Sequence, residues 1–260
     1  MNKIRVAQSD CLTWFPKQKP NAFQLIVADP PYFQVQIKEK WDNAWASEVD
    51  YVKWMLAWLK EAKRVLNATG LLYLFGQLGK REHVFLQVMA QATKLFQFHD
   101  LIIWDRAVGY NERRDSFTPQ YEMILVLRKS EKPYFNKSAV REAYDEATKQ
   151  IYLKDKRYKN LKKRKLHLEQ GKFATNLWRI PSLKGASKEK VGHPTQKPLA
   201  LIERIILSSS KKGDWLCDPF LGSGTTVIAA LKLDRQFAGC EIDKNYYRIA
   251  KRRLARESRE

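Results

Sequence analysis

Leu216-Cys217-Asp218-Pro219-Phe220-Leu221-Gly222-Ser223-Gly224-Thr225-Thr226 runs from a short apolar stretch through a glycine turn into the start of a helix. Glycine lets a chain turn tightly and lets a ligand approach the backbone, while a helix start presents unpaired N–H donors. Two phosphate-binding patterns with this outline do not fit. A P-loop requires a lysine after its last glycine, and none is present; the dinucleotide fingerprint requires a third glycine, and Val227 follows Thr226. With those two patterns excluded, the turn offers N–H donors and close backbone approach to some other ligand, or is a plain structural turn.

Downstream, Gly239-Cys240-Glu241-Ile242-Asp243 places an acid at the end of the next apolar run. A carboxylate roughly 20 residues past such a turn is where the two hydroxyls of a ribose are gripped. Glu241 is the better candidate because it directly follows the strand; alone, it reads as an exposed loop acid. Upstream, His193-Pro194-Thr195-Gln196-Lys197-Pro198 opens a helix at Leu199, a rigid polar entry that suits a charged ligand end or, more simply, an N-cap by Thr195. Ser9-Asp10-Cys11-Leu12 adds a weaker element, an acid after the first strand.

The remaining motif is Asp29-Pro30-Pro31-Tyr32, followed by Phe33, after the apolar run Gln24–Ala28. Paired prolines fix φ and remove N–H donors, so this corner offers carbonyls, a carboxylate and a flat ring. The set suits a planar amino group: carboxylate and carbonyl accept its two hydrogens while Tyr32 stacks on its face. An ordinary strand-to-loop turn is the alternative.

Around these motifs the chain alternates strands and helices. Strands are expected at Lys3–Ala7, Gln24–Ala28, Leu71–Phe75, Phe98–Trp104, Glu122–Arg128, Trp215–Cys217 and Phe237–Cys240. Helices are expected at Glu48–Leu66, with Val49, Val52, Leu56, Leu59 and Leu66 facing inward and Asn67–Gly70 as a stop, then Lys80–Lys94, Leu199–Ser209, from Gly224 and from Asn245. That alternation predicts an α/β fold with a central, mostly parallel sheet covered by helices on both faces. Residues 131–192 break the rhythm. Within them Leu153–Leu166 carries eight Lys or Arg in fourteen positions: Lys154, Lys156, Arg157, Lys159, Lys162, Lys163, Arg164 and Lys165. The segment reads as an insertion between residues 1–130 and 193–260 of one domain.

A net charge of +20, from 48 Lys and Arg against 28 Asp and Glu, favours a polyanionic partner, since each neutralised phosphate releases counterions. The hydrophobic fraction of 44% supplies a core and excludes global disorder. No run approaches the ~18 apolar residues of a spanning helix, and the N-terminus lacks a secretory stretch. Cys11, Cys217 and Cys240 are odd in number and widely spaced, which argues against disulfides and zinc and for a reducing cytoplasm.

Together the motifs resemble the β group of DNA amino-methyltransferases of restriction-modification type, in which the catalytic motif precedes the recognition region and the cofactor motif comes last. The resemblance covers nearly the whole chain. It implies a Rossmann-like methyltransferase fold that uses S-adenosylmethionine and DNA. It implies that Asp218, Phe220, Gly222, Ser223, Gly224 and Thr225 form the cofactor pocket, and that Glu241 holds the ribose. Asp10 and Cys11 should lie by the cofactor's adenine, with His193, Thr195 and Lys197 near its methionine portion and Asp29 close by. Asp29, Pro30, Pro31 and Tyr32 should receive the target base, and the basic residues of 153–166 should meet DNA. The resemblance leaves open a cognate restriction endonuclease and a homodimer.

The implied chemistry is direct transfer to an exocyclic amine, N6 of adenine, or alternatively N4 of cytosine, with no metal. Relatives acting on cytosine usually carry Ser where this chain has Asp29. Because the amine is unreachable within a duplex, the nucleotide must be flipped out, with Tyr32, and Phe33 as a second ring, stacking on it. Cytosine C5 chemistry would need a thiolate nucleophile, for which no cysteine has the sequence context. Methylation of RNA or of a protein glutamine, and a catalytically silent DNA-binding protein, are the more distant alternatives.

Overall fold

The computed structural model describes residues 3–35, 40–78, 82–109, 114–157 and 159–257. Eight strands form one sheet: β1 (Ile4–Gln8), β2 (Phe23–Ala28), β3 (Leu66–Gly76), β4 (Gln97–Asp105), β5 (Tyr121–Arg128), β6 (Leu177–Arg179), β7 (Trp215–Asp218) and β8 (Gln236–Glu241). Their order across the sheet is β1-β8-β7-β2-β3-β5-β4-β6. All pairings are parallel except those of β5, which runs antiparallel to β3 and to β4. The helices are α1 (Cys11–Trp14), α2 (Glu48–Val65), α3 (Glu82–Leu95), α4 (Glu146–Lys154), α5 (Leu161–Gln170), α6 (Leu199–Ser209), α7 (Thr225–Lys232) and α8 (Lys244–Glu257).

Alternation along the strands feeds two cores. Leu72 and Leu74 of β3 and Leu125 and Leu127 of β5 join Met55, Trp58 and Val88 on the face covered by α1, α2 and α3. Leu71, Tyr73 and Phe75, with Ile124 and Val126, join Ile205, Ile228 and Ala250 on the face covered by α6, α7 and α8. Strands buried on both faces read as continuous apolar runs, and β2, buried throughout, is the clearest case.

Three details differ from the sequence expectations, at α2, at Asn67–Gly70 and at residues 131–192, and one expected boundary lies outside the described residues. The buried face of α2 is Tyr51, Met55, Trp58, Leu59, Ala62 and Val65, whereas Val49 is 75% exposed in its first turn. Asn67–Gly70 does not interrupt the chain: β3 begins at Leu66, and the Gln24 side chain binds Asn67 and Thr69 where the β2–β3 register shifts. Helix α3 begins at Glu82; Lys80, its expected start, lies outside the described residues. The polar stretch 131–192 contains α4, α5 and the edge strand β6, which pairs with β4.

Candidate active site

Strands β2 and β7 are parallel neighbours with Ile26 opposite Cys217, so their two Asp-Pro corners emerge side by side. Strand β8 pairs with β7, Asp218 opposite Gly239, and carries Glu241 to the same end. Here the strand order switches direction, with β3 on one side of β2 and β7 on the other, and open α/β sheets hold ligands at that crevice. A cavity of about 1490 Å³ opens there, lined by Asp10, Cys11, Asp29, Pro30, Pro31, Tyr32, Glu122, His193, Thr195, Lys197, Asp218, Phe220, Gly222, Ser223, Thr225 and Glu241. One small ligand fills roughly 300–1,000 Å³, so this chamber has room for two.

One end gathers Glu241, the glycine turn and aromatic rings. Glu241 accepts from the backbone N–H of Gly222 at 2.7 Å and of Asp243 at 2.8 Å, which fixes its carboxylate. Burial raises its pKa, partly offset by those N–H bonds. Gly222 has φ +51, and a Cβ there would come within 3.2 Å of His193 Nε2. Gly224 does not line the cavity: at φ +83 it turns the chain into α7, where a Cβ would meet the Ala250 Cβ at 3.0 Å. Phe220 packs its ring on Trp54 and Trp58. Asp218 accepts from Phe220 N at 2.9 Å, and burial lifts its pKa to about 7. Asp10 caps α1 through Leu12 N. His193 stacks on Trp41 and contacts Tyr246; burial, aided by the charge of Lys197, lowers its pKa to about 4, so it is neutral at pH 7.

The other end is a compact charge cluster. Lys197 Nζ lies 2.8 Å from Asp29 Oδ2 and 3.2 Å from Glu122 Oε2. Tyr32 Oη lies 2.7 Å from Asp29 Oδ1 and 3.2 Å from Glu122 Oε2, so its single proton serves the nearer Asp29. Arg106 Nη1 meets Glu122 Oε1 at 2.9 Å. Two carboxylates thus face two cations, which balances charge that would otherwise be costly to bury. Burial pushes the Glu122 carboxyl up, but Lys197 and Arg106 outweigh it and hold it below the usual range. At Asp29 burial prevails over Lys197, and the nearby Glu122 adds to the rise. Asp29 is therefore the carboxylate closer to titrating. Its side chain keeps 26% exposure, and Tyr32 and Lys197 use only two of its roughly four acceptor positions, so it can still take an amine hydrogen.

Lys197, expected beside the cofactor, thus directs its ammonium to Asp29. Sequence reasoning missed Glu122 and Arg106; the available signal was a glutamate at the head of the apolar run of β5. Phe33 is buried against Tyr51 in the core and does not line the cavity, so it is no second stacking ring. Thr195 does not cap α6, whose first N–H at Leu199 is taken by Glu189 Oε1 at 2.7 Å. Of the basic stretch, Lys154, Lys156, Arg157, Lys159, Lys162, Lys163 and Lys165 are exposed. Arg164 is buried, and its Nη1 donates to the Asp155 carbonyl at 2.7 Å, holding the α4–α5 turn instead of facing a phosphate. All three cysteines are buried free thiols, and burial raises their pKa, so none is an ionised nucleophile at neutral pH. Among the described residues no group of His, Cys, Asp or Glu is placed to hold a metal, and no helix is long and apolar enough to cross a membrane.

The chamber has a carboxylate fixed by backbone N–H groups beside a glycine turn at one end and the carboxylate of a proline corner at the other. That arrangement on this sheet defines the Rossmann-like methyltransferases as the class. The family described as DNA methylase matches residues 23–252, and the chain belongs to it. It is 32% identical over 274 residues to the Type II methyltransferase M2.DpnII of Streptococcus pneumoniae, covering 99% of this chain and 91% of that protein. It is 32% identical over 253 residues to the DNA adenine methyltransferase YhdJ of Escherichia coli K12, covering 96% and 82%. Among solved structures, the M1.HpyAVI–SAM complex superposes with a TM-score of 0.64 at 25% identity, covering 96% of this chain and 98% of that one.

Proposed function

We propose that the chain is a site-specific DNA methyltransferase that uses S-adenosylmethionine to methylate N6 of an adenine flipped out of the duplex. The observation that carries the reading is the Asp29–Tyr32–Lys197 cluster opening into the same cavity as Glu241 and the Gly222 corner. The protein fits the cofactor on its own terms: a fixed carboxylate for ribose hydroxyls, a glycine whose missing side chain leaves space, and aromatic walls at Phe220 and Trp54. When bound, S-adenosylmethionine supplies an electrophilic methyl group.

The remaining work falls to this chain's side chains. A base amine is a weak nucleophile because its lone pair is delocalised into the ring. Asp29 accepts one of its hydrogens and a carbonyl of the proline corner the other, which draws the nitrogen toward a pyramidal, reactive shape. Lys197 and Tyr32 fix the Asp29 carboxylate in advance, so the geometry is ready before the base enters. The face of Tyr32 receives the base. Residues 131–192 form the recognition insertion between a catalytic half, residues 1–130, and a cofactor-binding half, residues 193–260. The insertion's exposed lysines and arginines position the phosphates. The buried free thiols suit a reducing cytoplasm. A cognate endonuclease and a homodimer belong to this reading through the family resemblance.

Purified protein, labelled S-adenosylmethionine and DNA from a methylation-free host, followed by digestion to nucleosides and mass analysis, tests the reading. The expected product is N6-methyladenine; N4-methylcytosine alone would overturn the assignment of the base. Sequencing the DNA of such a host expressing the protein yields the recognition site. Glu241→Ala is expected to weaken S-adenosylmethionine binding by about 10–100-fold in calorimetry, because a charged ribose contact is lost and two backbone donors lose their acceptor. The raised Glu241 pKa gives the sign with pH: affinity falls as acidification protonates it. Unchanged affinity in the variant would remove Glu241 from the ribose site.

A further inference from the structure

The segment entering β5 carries a ring that the reaction described so far does not use. Phe117 is 96% exposed, yet it lines the cavity with Ser116, Thr118, Pro119 and Tyr121, five residues before Glu122 of the charge cluster. A single exposed aromatic is unremarkable on a protein surface. Its mounting is what distinguishes this one. Just behind it the segment is pinned to the end of β4: Arg106 N donates to Gln120 O at 3.0 Å, and Gln120 Nε2 donates to Asp105 Oδ1 at 2.8 Å. Asp105 Oδ1 also takes Ala107 N at 2.7 Å, and Gly109 approaches so closely that a Cβ there would meet Thr118 Cγ2 at 2.8 Å. Pro119 stiffens the step between pin and ring. Phe117 therefore stands at the rim on a fixed base, and five residues of extended chain keep it within roughly 18 Å of Glu122.

Extruding a nucleotide leaves a gap in the base stack beside the enzyme, and apolar side chains are suited to occupy such gaps. The geometry points to Phe117 as a positioning residue that enters the duplex where the target nucleotide has left, stacks on the bases exposed there and opposes its return. The inference rests on the proposed DNA-methylating function and adds to it the element that engages the duplex. Arg114, exposed three residues earlier, and Arg179, 76% exposed beside Asp105, bring positive charge to the same rim for the flanking phosphates.

The ring's role separates from that of the recess by changing only the pairing of the target. Single-turnover transfer is measured on two duplexes bearing the recognition site, one with the target opposite thymine and one with it opposite an abasic position, where flipping disrupts no pair. Phe117→Ala is expected to slow transfer about 10-fold or more on the paired duplex, the value of one lost base–aromatic stack. It should stay close to wild type on the abasic duplex, with unchanged affinity for S-adenosylmethionine, and Phe117→Trp should restore the paired rate. Equal rates for wild type and Phe117→Ala on the paired duplex overturn the inference. So does an equal loss on both duplexes, which would place the ring on the base inside the recess. Absence of transfer by the wild type to either duplex overturns the parent function and the wedge together, whereas the other outcomes leave that function standing.

Discussion

Replacing Asp29 with alanine is expected to lower methyl transfer by about 10²–10³-fold, the scale on which removal of one preorganised polar contact to a reacting group is felt, while S-adenosylmethionine affinity changes little. In the proposed mechanism the carboxylate is the acceptor that orients the amine, and its two oxygens are already aimed by Tyr32 at 2.7 Å and Lys197 at 2.8 Å. Alanine leaves neither acceptor nor charge, yet Lys197 keeps Glu122 as a partner, so the variant should fold. Glu241, the proposed ribose ligand, belongs to a different strand and is held by its own backbone donors. Asp29→Asn is a graded form of the test. Its amide oxygen goes to the Lys197 ammonium and its NH₂ takes the place of the oxygen that Tyr32 contacts. The charge and part of the acceptor capacity are lost while one carbonyl lone pair remains, so transfer should fall by less than in Asp29→Ala. Transfer of labelled methyl to DNA, with calorimetry for cofactor binding, reads both variants; transfer by Asp29→Ala at a tenth of the wild-type rate would remove this residue from the chemistry.

What the sequence discloses of this site follows from how local each feature is. The proline corner, the glycine turn and the strand-terminal acid are each written within a few consecutive residues, and strand alternation predicts that they share one end of the sheet. The charge cluster is different. Lys197 follows Asp29 by most of the chain's length, and Glu122 reaches both only because β5 inserts antiparallel between β3 and β4. Apolar runs do not reveal strand direction, since parallel and antiparallel neighbours buried on both faces have the same composition. The contrast with Arg164 is equally physical. In a run of eight basic residues all look alike, and the turn from α4 to α5 decides which one is turned inward onto Asp155. Helix α4 buries none of its residues, so periodicity carries little signal in that stretch. The expected face of α2 differs from the observed one because Val49 reads as core where aromatic residues, Tyr51 and Trp58, carry the packing.

Lys197 makes the strongest demand on the fold as well as on the reaction. Its ammonium sits between two buried carboxylates, and Lys197→Met keeps the length and volume while deleting the charge. Two buried carboxylates with one cation fewer should cost about 3–5 kcal/mol of stability, the range for breaking a buried pair by removing one partner. That is a large fraction of the ~5–15 kcal/mol of a typical domain, so urea unfolding should show a clear drop in midpoint. The pH behaviour carries the mechanistic content. Burial raises the Asp29 pKa in the wild type and Lys197 opposes that rise, so the variant pKa moves further up. Transfer requires ionised Asp29, so the acidic limb of the pH–rate profile moves to higher pH. At a pH below both limbs, the variant rate falls about 10-fold for every 1.4 kcal/mol by which ionisation has become harder. Raising the pH should recover much of the lost rate, which a merely destabilised protein would not do. For Glu122 the sign of the stability effect is the ordinary acidic one. Its folded pKa lies below the unfolded value, so in the wild type its contribution is present above the unfolded pKa and is lost as pH falls through the folded one. Removing Lys197 takes away the first of the two cations that hold it down, so its folded pKa rises toward the unfolded value and the variant should lose less stability on acidification through Glu122 than the wild type. Profiles of single-turnover rate and unfolding midpoint against pH test both statements, and an acidic limb that stays in place would show that the Asp29 charge is set by something other than this lysine.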